Sequence, residues 1–125
     1  MNNKNLDNKI IIVCGGKGKR MGKITQTVPK PLIKIGDKTI IEHKIRYYRT
    51  QRLHDFIFCL GYKSKLMKNY LIKKTPKSIF HDGGINAGIL KRIFFVKKYI
   101  KEHTIISYGD TLAKINFRNL LNNHK

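Results

Sequence analysis

The sequence predicts a single α/β domain built on a mostly parallel sheet, and three observations support this fold class. Short apolar runs rich in β-branched residues alternate with longer stretches in which apolar residues recur at helical spacing. Three of these runs are followed directly by glycine, as expected where a strand gives way to a loop. A length of 125 residues allows one domain, and hydrophobic residues at 41% supply its core.

The first elements follow from the polarity of the chain. Residues 1–8 are polar and lack the apolar segment of a secretory signal, so we expect a flexible N-terminus ahead of a domain at 9–125. Lys9–Cys14 is almost wholly apolar, which is typical of a strand covered on both faces of a parallel sheet. The polar stretch Gly15–Lys38 contains several glycines and two prolines and is predicted to be a loop.

Two helices and a strand follow. Thr39–Arg52 is predicted to be a helix that opens with a capping box formed by Thr39 and Glu42. Phe56–Leu60 is the second strand and Ser64–Lys74 the second helix. The residues expected to face inward are Ile40, Ile41, Ile45 and Tyr48 on the first helix and Leu66, Met67, Tyr70 and Leu71 on the second.

The last third of the chain continues the alternation. Ser78–Phe80 is expected to be a short strand, His81–Gly84 a turn and Ala87–Ile100 a helix. Thr104–Tyr108 is a further strand, and Asn116 is expected to cap a last helix that runs to His124. The residues of the third helix expected to face inward are Leu90, Ile93, Phe94 and Ile100.

Composition limits the function without identifying it. Twenty-seven Lys and Arg against seven Asp and Glu give a net charge of +20, which attracts polyanions such as nucleic acid, anionic lipid or phosphorylated small molecules. The abundance of lysine, asparagine and isoleucine is also expected from an A+T-rich coding sequence. Cys14 and Cys59 form no CxxC pair, which excludes a zinc ribbon and a disulfide scaffold and suggests buried thiols of a cytoplasmic protein. The longest apolar run, Ile10–Cys14, is too short to span a membrane.

The candidate functional residues lie at strand ends. Because ligands bind at the carboxyl ends of parallel strands, the topology would bring Gly15–Arg20, Gly61–Lys63 and Gly109–Asp110 to one edge of the sheet. Glycines let the backbone approach an anion and direct N–H groups at it, and Arg20 beside them can clamp phosphate oxygens. The spacing matches neither a P-loop nor the dinucleotide fingerprint, and a simple glycine-rich turn is the alternative. Two prolines flank Lys30 and stiffen the backbone that carries it.

These residues carry a resemblance to a known family. The segments at 15–21 (GGKGKRM) and 29–38 (PKPLIKIGDK) resemble the signature of the sugar-1-phosphate nucleotidylyltransferases. The segments at 56–63 (FIFCLGYK) and 108–110 (YGD) are most similar to its glucose-1-phosphate cytidylyltransferase-like branch. The resemblance implies a Rossmann-like three-layer α/β/α fold, as in nucleotide-diphospho-sugar transferases, of which this chain would hold the N-terminal, nucleotide-binding half.

The resemblance also implies an enzyme and its site. A sugar-1-phosphate would attack the α-phosphorus of a nucleoside triphosphate and release pyrophosphate, with Arg20, Lys30 and Asp110 as catalytic residues. Asp110 would also ligate Mg²⁺. The residues that the resemblance implies for nucleotide binding are Gly15, Gly16, Gly18, Lys19, Asn86, Ala87, Gly88 and Gly109.

Departures from the family pattern leave the base open among CTP, GTP and dTTP. Asn86 stands where threonine is usual, Ile89 replaces an arginine, and Thr111 is more typical of heptose- or mannose-type guanylyltransferases. Relatives continue into a half that supplies the sugar pocket and a second metal carboxylate. We therefore expect a partial enzyme, a homo-oligomer or a chain that needs a complementing second chain. The alternatives are a catalytically inactive nucleotide-binding module and a basic nucleic-acid-binding protein, although no recognition helix or aromatic platform favours specific nucleic-acid binding.

Overall fold

A four-stranded parallel sheet forms the centre of the protein. The computed structural model describes residues 6–16 and 27–124. The strands of the sheet are β1 (Leu6–Val13), β4 (Leu53–Leu60), β5 (Ile79–Asp82) and β6 (Ile105–Tyr108). They lie in the order β5-β4-β1-β6, and each pairs in parallel with its neighbours. The predicted α/β class is confirmed.

A short hairpin precedes the first helix. Its strands β2 (Lys34–Ile35) and β3 (Lys38–Thr39) pair in antiparallel register, and Gly36 between them has a φ of 71°. The sequence predicts a loop up to Lys38, because strands of only two residues carry no periodicity that a sequence could reveal. Thr39, which the sequence predicts to open the first helix, is the last residue of β3. β1 also begins earlier than the predicted strand, at Leu6 instead of Lys9.

Three helices cover one face of the sheet. They are α1 (Ile40–Thr50), α2 (Ser64–Lys74) and α4 (Phe117–His124). Their buried residues pack with alternate residues of β1 and β4 into the larger core, which includes Ile45, Met67 and Phe117. The predicted bounds of α2 are confirmed, but Leu66 is exposed instead of buried.

The structure confirms the predicted N-terminal cap of α1 in part and that of α4 in full. The Thr39 hydroxyl accepts a hydrogen bond from the backbone N–H of Glu42 at 3.1 Å, which is half of a capping box. The Glu42 carboxylate instead accepts from the Tyr70 hydroxyl, at 3.0 Å. Asn116 caps α4 as expected, because its side-chain oxygen accepts from the N–H of Asn119 at 3.1 Å.

One short helix, α3 (Ile89–Phe95), covers the other face, so the protein has three layers. A 3₁₀ turn at Lys97–Tyr99 follows it where the sequence predicted a continuous helix. Of the predicted inward residues, Ile93 packs against the smaller core as expected. The prediction was wrong for Leu90, Phe94 and Ile100, which are 83%, 59% and 41% exposed. Arg92 and Val96 are buried in their place, since a helical stripe read from hydrophobicity alone cannot select an arginine as its inward residue.

No helix within the described residues combines the length and the apolar character that a membrane crossing requires.

Candidate nucleotide-binding site

The carboxyl ends of the strands bring together the loops that the sequence predicted to meet. The Gly15 carbonyl, just after β1, accepts a hydrogen bond from the N–H of Tyr62, just after β4, at 2.9 Å. The N–H of Gly109, just after β6, donates to the Val13 carbonyl at 2.9 Å. The described parts of all three predicted segments therefore lie at one edge of the sheet, as the topology rule for parallel sheets requires.

Lys30 and Asp110 meet at this edge. Lys30 opens a 3₁₀ turn after Pro29, and its side chain crosses to the loop that follows β6. The Lys30 Nζ lies 3.1 Å from the Asp110 Oδ2, and both side chains are about one-third exposed. Two residues separated by a long stretch of sequence thus form one charged pair that solvent and a ligand can reach.

A cleft of about 160 Å³ opens beside this pair. Gly16 contributes its exposed backbone to the lining, and Ile89 contributes from the start of α3. The same cleft is lined by Val13, Cys14, Lys30, Pro31, Arg92, Tyr108 and Asp110. The exposed backbone of Gly16 and the Lys30 ammonium are groups that can bind a phosphate, and the Asp110 carboxylate lies beside them.

Gly109 makes the close approach of β6 to β1 possible. A Cβ at Gly109 would lie 2.7 Å from the Cβ of Cys14, which is closer than nonbonded carbon atoms approach in proteins. Glycine is therefore required for the Asp110 loop to pack against the end of β1.

The remaining predicted residues divide into two groups. Gly18, Lys19 and Arg20 lie outside the described residues. Asn86, Ala87 and Gly88 form the turn that leads into α3, where Asn86 and Gly88 are exposed. This turn enters the same edge of the sheet through Ile89.

Sequence reasoning missed Arg92. Its side chain is 4% exposed, and the Nη2 donates hydrogen bonds to the carbonyls of Gly15 at 2.9 Å and Gly84 at 3.2 Å. A basic residue in a strongly basic chain carries no signal of burial, so only the packing of α3 reveals it.

Lys44 is a second buried cation near the site. Its Nζ donates to the backbone carbonyl of Thr111 at 2.9 Å, next to Asp110 in the chain. Burial lowers the pKa of Lys44 to about 8, and the negative charge of Asp110 partly offsets this effect. Lys44 also lines a larger, mainly apolar cavity of about 500 Å³ beneath the segment at 111–115.

The two cysteines are free and buried, as the sequence predicted. Burial raises the pKa of Cys14, and it raises that of Cys59 to about 11, with a smaller opposing effect of the Arg92 charge on both. Thiols held protonated in this way are poor nucleophiles.

Within the described residues, no group of three or more His, Cys, Asp or Glu is arranged to hold a metal ion. Asp110 is a half-buried carboxylate at the mouth of the cleft. Mg²⁺ is commonly held by one or two carboxylates together with substrate phosphates and water, so one carboxylate such as that of Asp110 fits such an ion.

Comparison with known proteins identifies the family. The sequence profile of a family described as nucleotidyl transferase matches residues 9–125. The chain belongs to the nucleotidyl transferase family.

Relatives within the family act on different substrates. The chain is 33% identical to a probable glucose-1-phosphate cytidylyltransferase of Bacillus subtilis over 94% of its length and 56% of the relative's. It is 31% identical to a D-glycero-alpha-D-manno-heptose 1-phosphate guanylyltransferase of Campylobacter jejuni, over 88% of its length and 51% of the relative's. The chain therefore spans about half the length of these curated relatives.

The fold of the family is also confirmed by a solved structure. The crystal structure of HddC from Yersinia pseudotuberculosis complexed with GMP-PN has a TM-score of 0.81 to this chain, at 25% identity. The match covers 93% of this chain and 53% of that one. The predicted fold of the nucleotide-diphospho-sugar transferases is thus correct.

Proposed function

We propose that this chain binds a nucleoside triphosphate in the cleft beside Lys30 and Asp110 and serves transfer of the nucleotidyl group to a sugar-1-phosphate. The observation that carries the proposal is the meeting of this ion pair with the glycine loop at the carboxyl edge of the sheet. The relatives named cytidylyltransferase and guanylyltransferase support the reaction class.

The chemistry requires alignment and charge neutralisation more than a base. An anionic oxygen of the sugar-1-phosphate would form a bond to the α-phosphorus, while the bond from this phosphorus to the bridging oxygen breaks. Pyrophosphate would leave with the electron pair of the broken bond. Since the attacking oxygen is already anionic, no proton has to be removed from it.

Residues of the chain would divide these tasks. Backbone N–H groups of the loop at 15–18 would hold the triphosphate, and Arg20 would hold the two phosphates that leave. The Lys30 ammonium would offset charge that develops at the α-phosphorus. Mg²⁺, when bound, would neutralise phosphate charge, and Asp110 is the carboxylate that would hold it.

The base would be read by the turn at Asn86–Gly88, which differs from the family pattern. The names of the relatives divide between cytidylyl and guanylyl transfer. The first experiment is therefore a calorimetric titration with CTP, GTP and dTTP in the presence and absence of Mg²⁺. Failure of all three nucleotides to bind would contradict the proposal.

The decisive variant is Asp110→Asn, which keeps the size of the side chain and removes its charge. We expect Mg²⁺-dependent affinity for the nucleotide to fall about tenfold or more, the effect of losing a charged ligand contact. Asp55→Asn is the matched control, because Asp55 also pairs with a lysine but lies near the opposite end of the sheet. Unchanged metal-dependent affinity in Asp110→Asn would remove Asp110 from the site.

A nucleotide-binding module without turnover is the second candidate. It requires only groups that can bind phosphate, such as Gly16 and Lys30 beside the cleft, and no second substrate. Nucleotide binding without pyrophosphate release in the presence of sugar-1-phosphates would favour this candidate.

A further inference from the structure

Arg92 connects the loops at the carboxyl edge of the sheet. It projects from α3, and its Nη2 donates to the carbonyls of Gly15, Gly84 and Ile85 at 2.9, 3.2 and 3.5 Å. Gly15 follows β1, whereas Gly84 and Ile85 follow β5. One guanidinium nitrogen therefore bridges two loops that enter the site from different strands.

Glycines form a cradle around the same guanidinium. A Cβ at Gly15 would lie 2.8 Å from the Arg92 Cζ, and a Cβ at Gly61 would lie 2.7 Å from the Nη2. Gly61 follows β4, so a third loop closes on this side chain. The loops also bind each other, because Tyr62 N–H donates to the Gly15 carbonyl at 2.9 Å.

The charge of Arg92 is held in an unusual environment. None of the ion pairs formed by the described residues involves Arg92, and its buried Nε has no hydrogen-bond partner among them. A buried charge without a carboxylate partner lowers stability unless hydrogen bonds satisfy the charged group. Here Nη2 donates to carbonyls from separate loops. An apolar side chain has no donor for them, and a lysine ammonium would end one bond closer to the backbone than Nη2.

We propose that Arg92 is a positioning residue that holds the loops after β1, β4 and β5 as one unit. The inference rests on the proposed function, because the first loop would bind phosphates and the turn that continues from Ile85 would read the base. By joining Gly15 to Gly84 and Ile85, Arg92 sets the distance between the two halves of the nucleotide site. A nucleotide then binds loops that are already held in their binding positions, which lowers the entropic cost of ordering them on binding.

Amide hydrogen exchange in the ligand-free protein tests the connection without any nucleotide. The variants are Arg92→Met, which removes the charge, and Arg92→Lys, which keeps it. We expect the amides of Tyr62 and Gly83 to exchange about tenfold faster in both variants, while those in the centres of β1 and β4 keep their rates. Lys91→Met is the control, because this exposed neighbour on α3 loses the same charge. Unchanged loop rates, or rates that rise equally in the strands, would overturn the proposal.

A binding ratio tests what the connection does. Inorganic tripolyphosphate would contact only the phosphate loop, whereas a nucleoside triphosphate would contact both loops. We expect the affinity advantage of the nucleotide over tripolyphosphate to fall about tenfold in Arg92→Lys and Arg92→Met and to persist in Lys91→Met. An equal loss for both ligands, or full recovery in Arg92→Lys, would make Arg92 a source of charge instead of a positioning residue.

The two tests separate this inference from the proposed function. If the wild-type protein binds none of CTP, GTP and dTTP, the proposed function is wrong, and hydrogen exchange still decides whether Arg92 joins the loops. If nucleotides bind but the ratio does not change in the Arg92 variants, only the positioning role is wrong.

Discussion

At the scale of single residues, close backbone approach at the site depends on glycine. A Cβ at Gly61 would lie 2.7 Å from the Gly84 carbonyl oxygen and 2.9 Å from that of Gly15. Because both neighbours are backbone, Gly61→Ala would have to move a loop, and we expect a loss of about 1–3 kcal/mol of stability. Urea unfolding measures this loss.

Gly88→Ala is the control for this prediction. A Cβ at Gly88 would meet no atom within 4 Å, and its φ of −75° suits any residue. We expect a change below about 0.5 kcal/mol for this variant. Equal effects of the two substitutions would show that the loops do not pack as closely as the distances indicate.

Lys44 should make the stability depend on pH. Burial, partly offset by Asp110, lowers its pKa from 10.5 to about 8 in the folded protein, so the unfolded chain binds more protons between these values. The penalty for holding the charged ammonium in the fold is complete below pH 8 and is relieved as the pH rises from 8 toward 10.5. Stability contributed by this group therefore rises with pH in that window.

The measurement is the difference in urea unfolding free energy between wild type and Lys44→Met across that pH range. The difference removes the opposing effect of the buried thiols, whose raised pKa values lower stability at alkaline pH in both proteins. We expect wild type to gain relative to the variant as the pH rises. A difference that stays constant would show that Lys44 keeps an ordinary pKa.

At the scale of elements, the start of α1 depends on one hydroxyl. Thr39 is buried, and its side-chain oxygen accepts from the Glu42 N–H and lies 2.9 Å from the Tyr70 hydroxyl on α2. Thr39→Ala should lower stability by about 1–2 kcal/mol, because it removes a cap and a contact between helices. Thr39→Ser should restore most of the loss in thermal or urea unfolding.

Thr50 at the other end of α1 is the control. Its exposed hydroxyl donates to the Tyr47 carbonyl at 2.6 Å, where water can replace it. Thr50→Ala should therefore change stability by less than about 0.5 kcal/mol. A larger effect at Thr50 than at Thr39 would contradict the assignment of the cap.

At the scale of the whole molecule, charge opposes folding. A net charge of +20 on 125 residues produces self-repulsion that salt screens. We expect the urea midpoint to rise as sodium chloride increases from about 20 to about 200 mM, a range in which the Debye length falls severalfold. A midpoint independent of salt would contradict the repulsion.

Catalysis by residues 1–125 alone is expected to stay near background. The chain spans about half the length of the curated relatives it matches, and the family resemblance implies that the sugar pocket lies in the other half. Alignment of the two reactants can contribute about 7–11 kcal/mol to lowering a barrier. Among the described strands, β6 lies at an edge of the sheet, with Ile106 and Tyr108 each half exposed on one face. A coupled assay for pyrophosphate with sugar-1-phosphates measures the rate, and turnover at ordinary enzyme rates would contradict this expectation.

The sequence by itself determined the fold class, most elements and the edge of the sheet where the site would form. The strand predicted at Phe56–Leu60, which the structure extends back to Leu53, and the helix Ser64–Lys74 were predictable because local apolar periodicity and glycine report burial directly. Only the tertiary structure decided which face of α3 is buried, that Lys30 reaches Asp110, and that Arg92 enters a cradle of glycines. These features depend on contacts between residues distant in the chain, and a basic side chain has the same local pattern whether it faces solvent or the interior. In a chain with twenty-seven basic residues, packing alone distinguishes the buried cations from the rest.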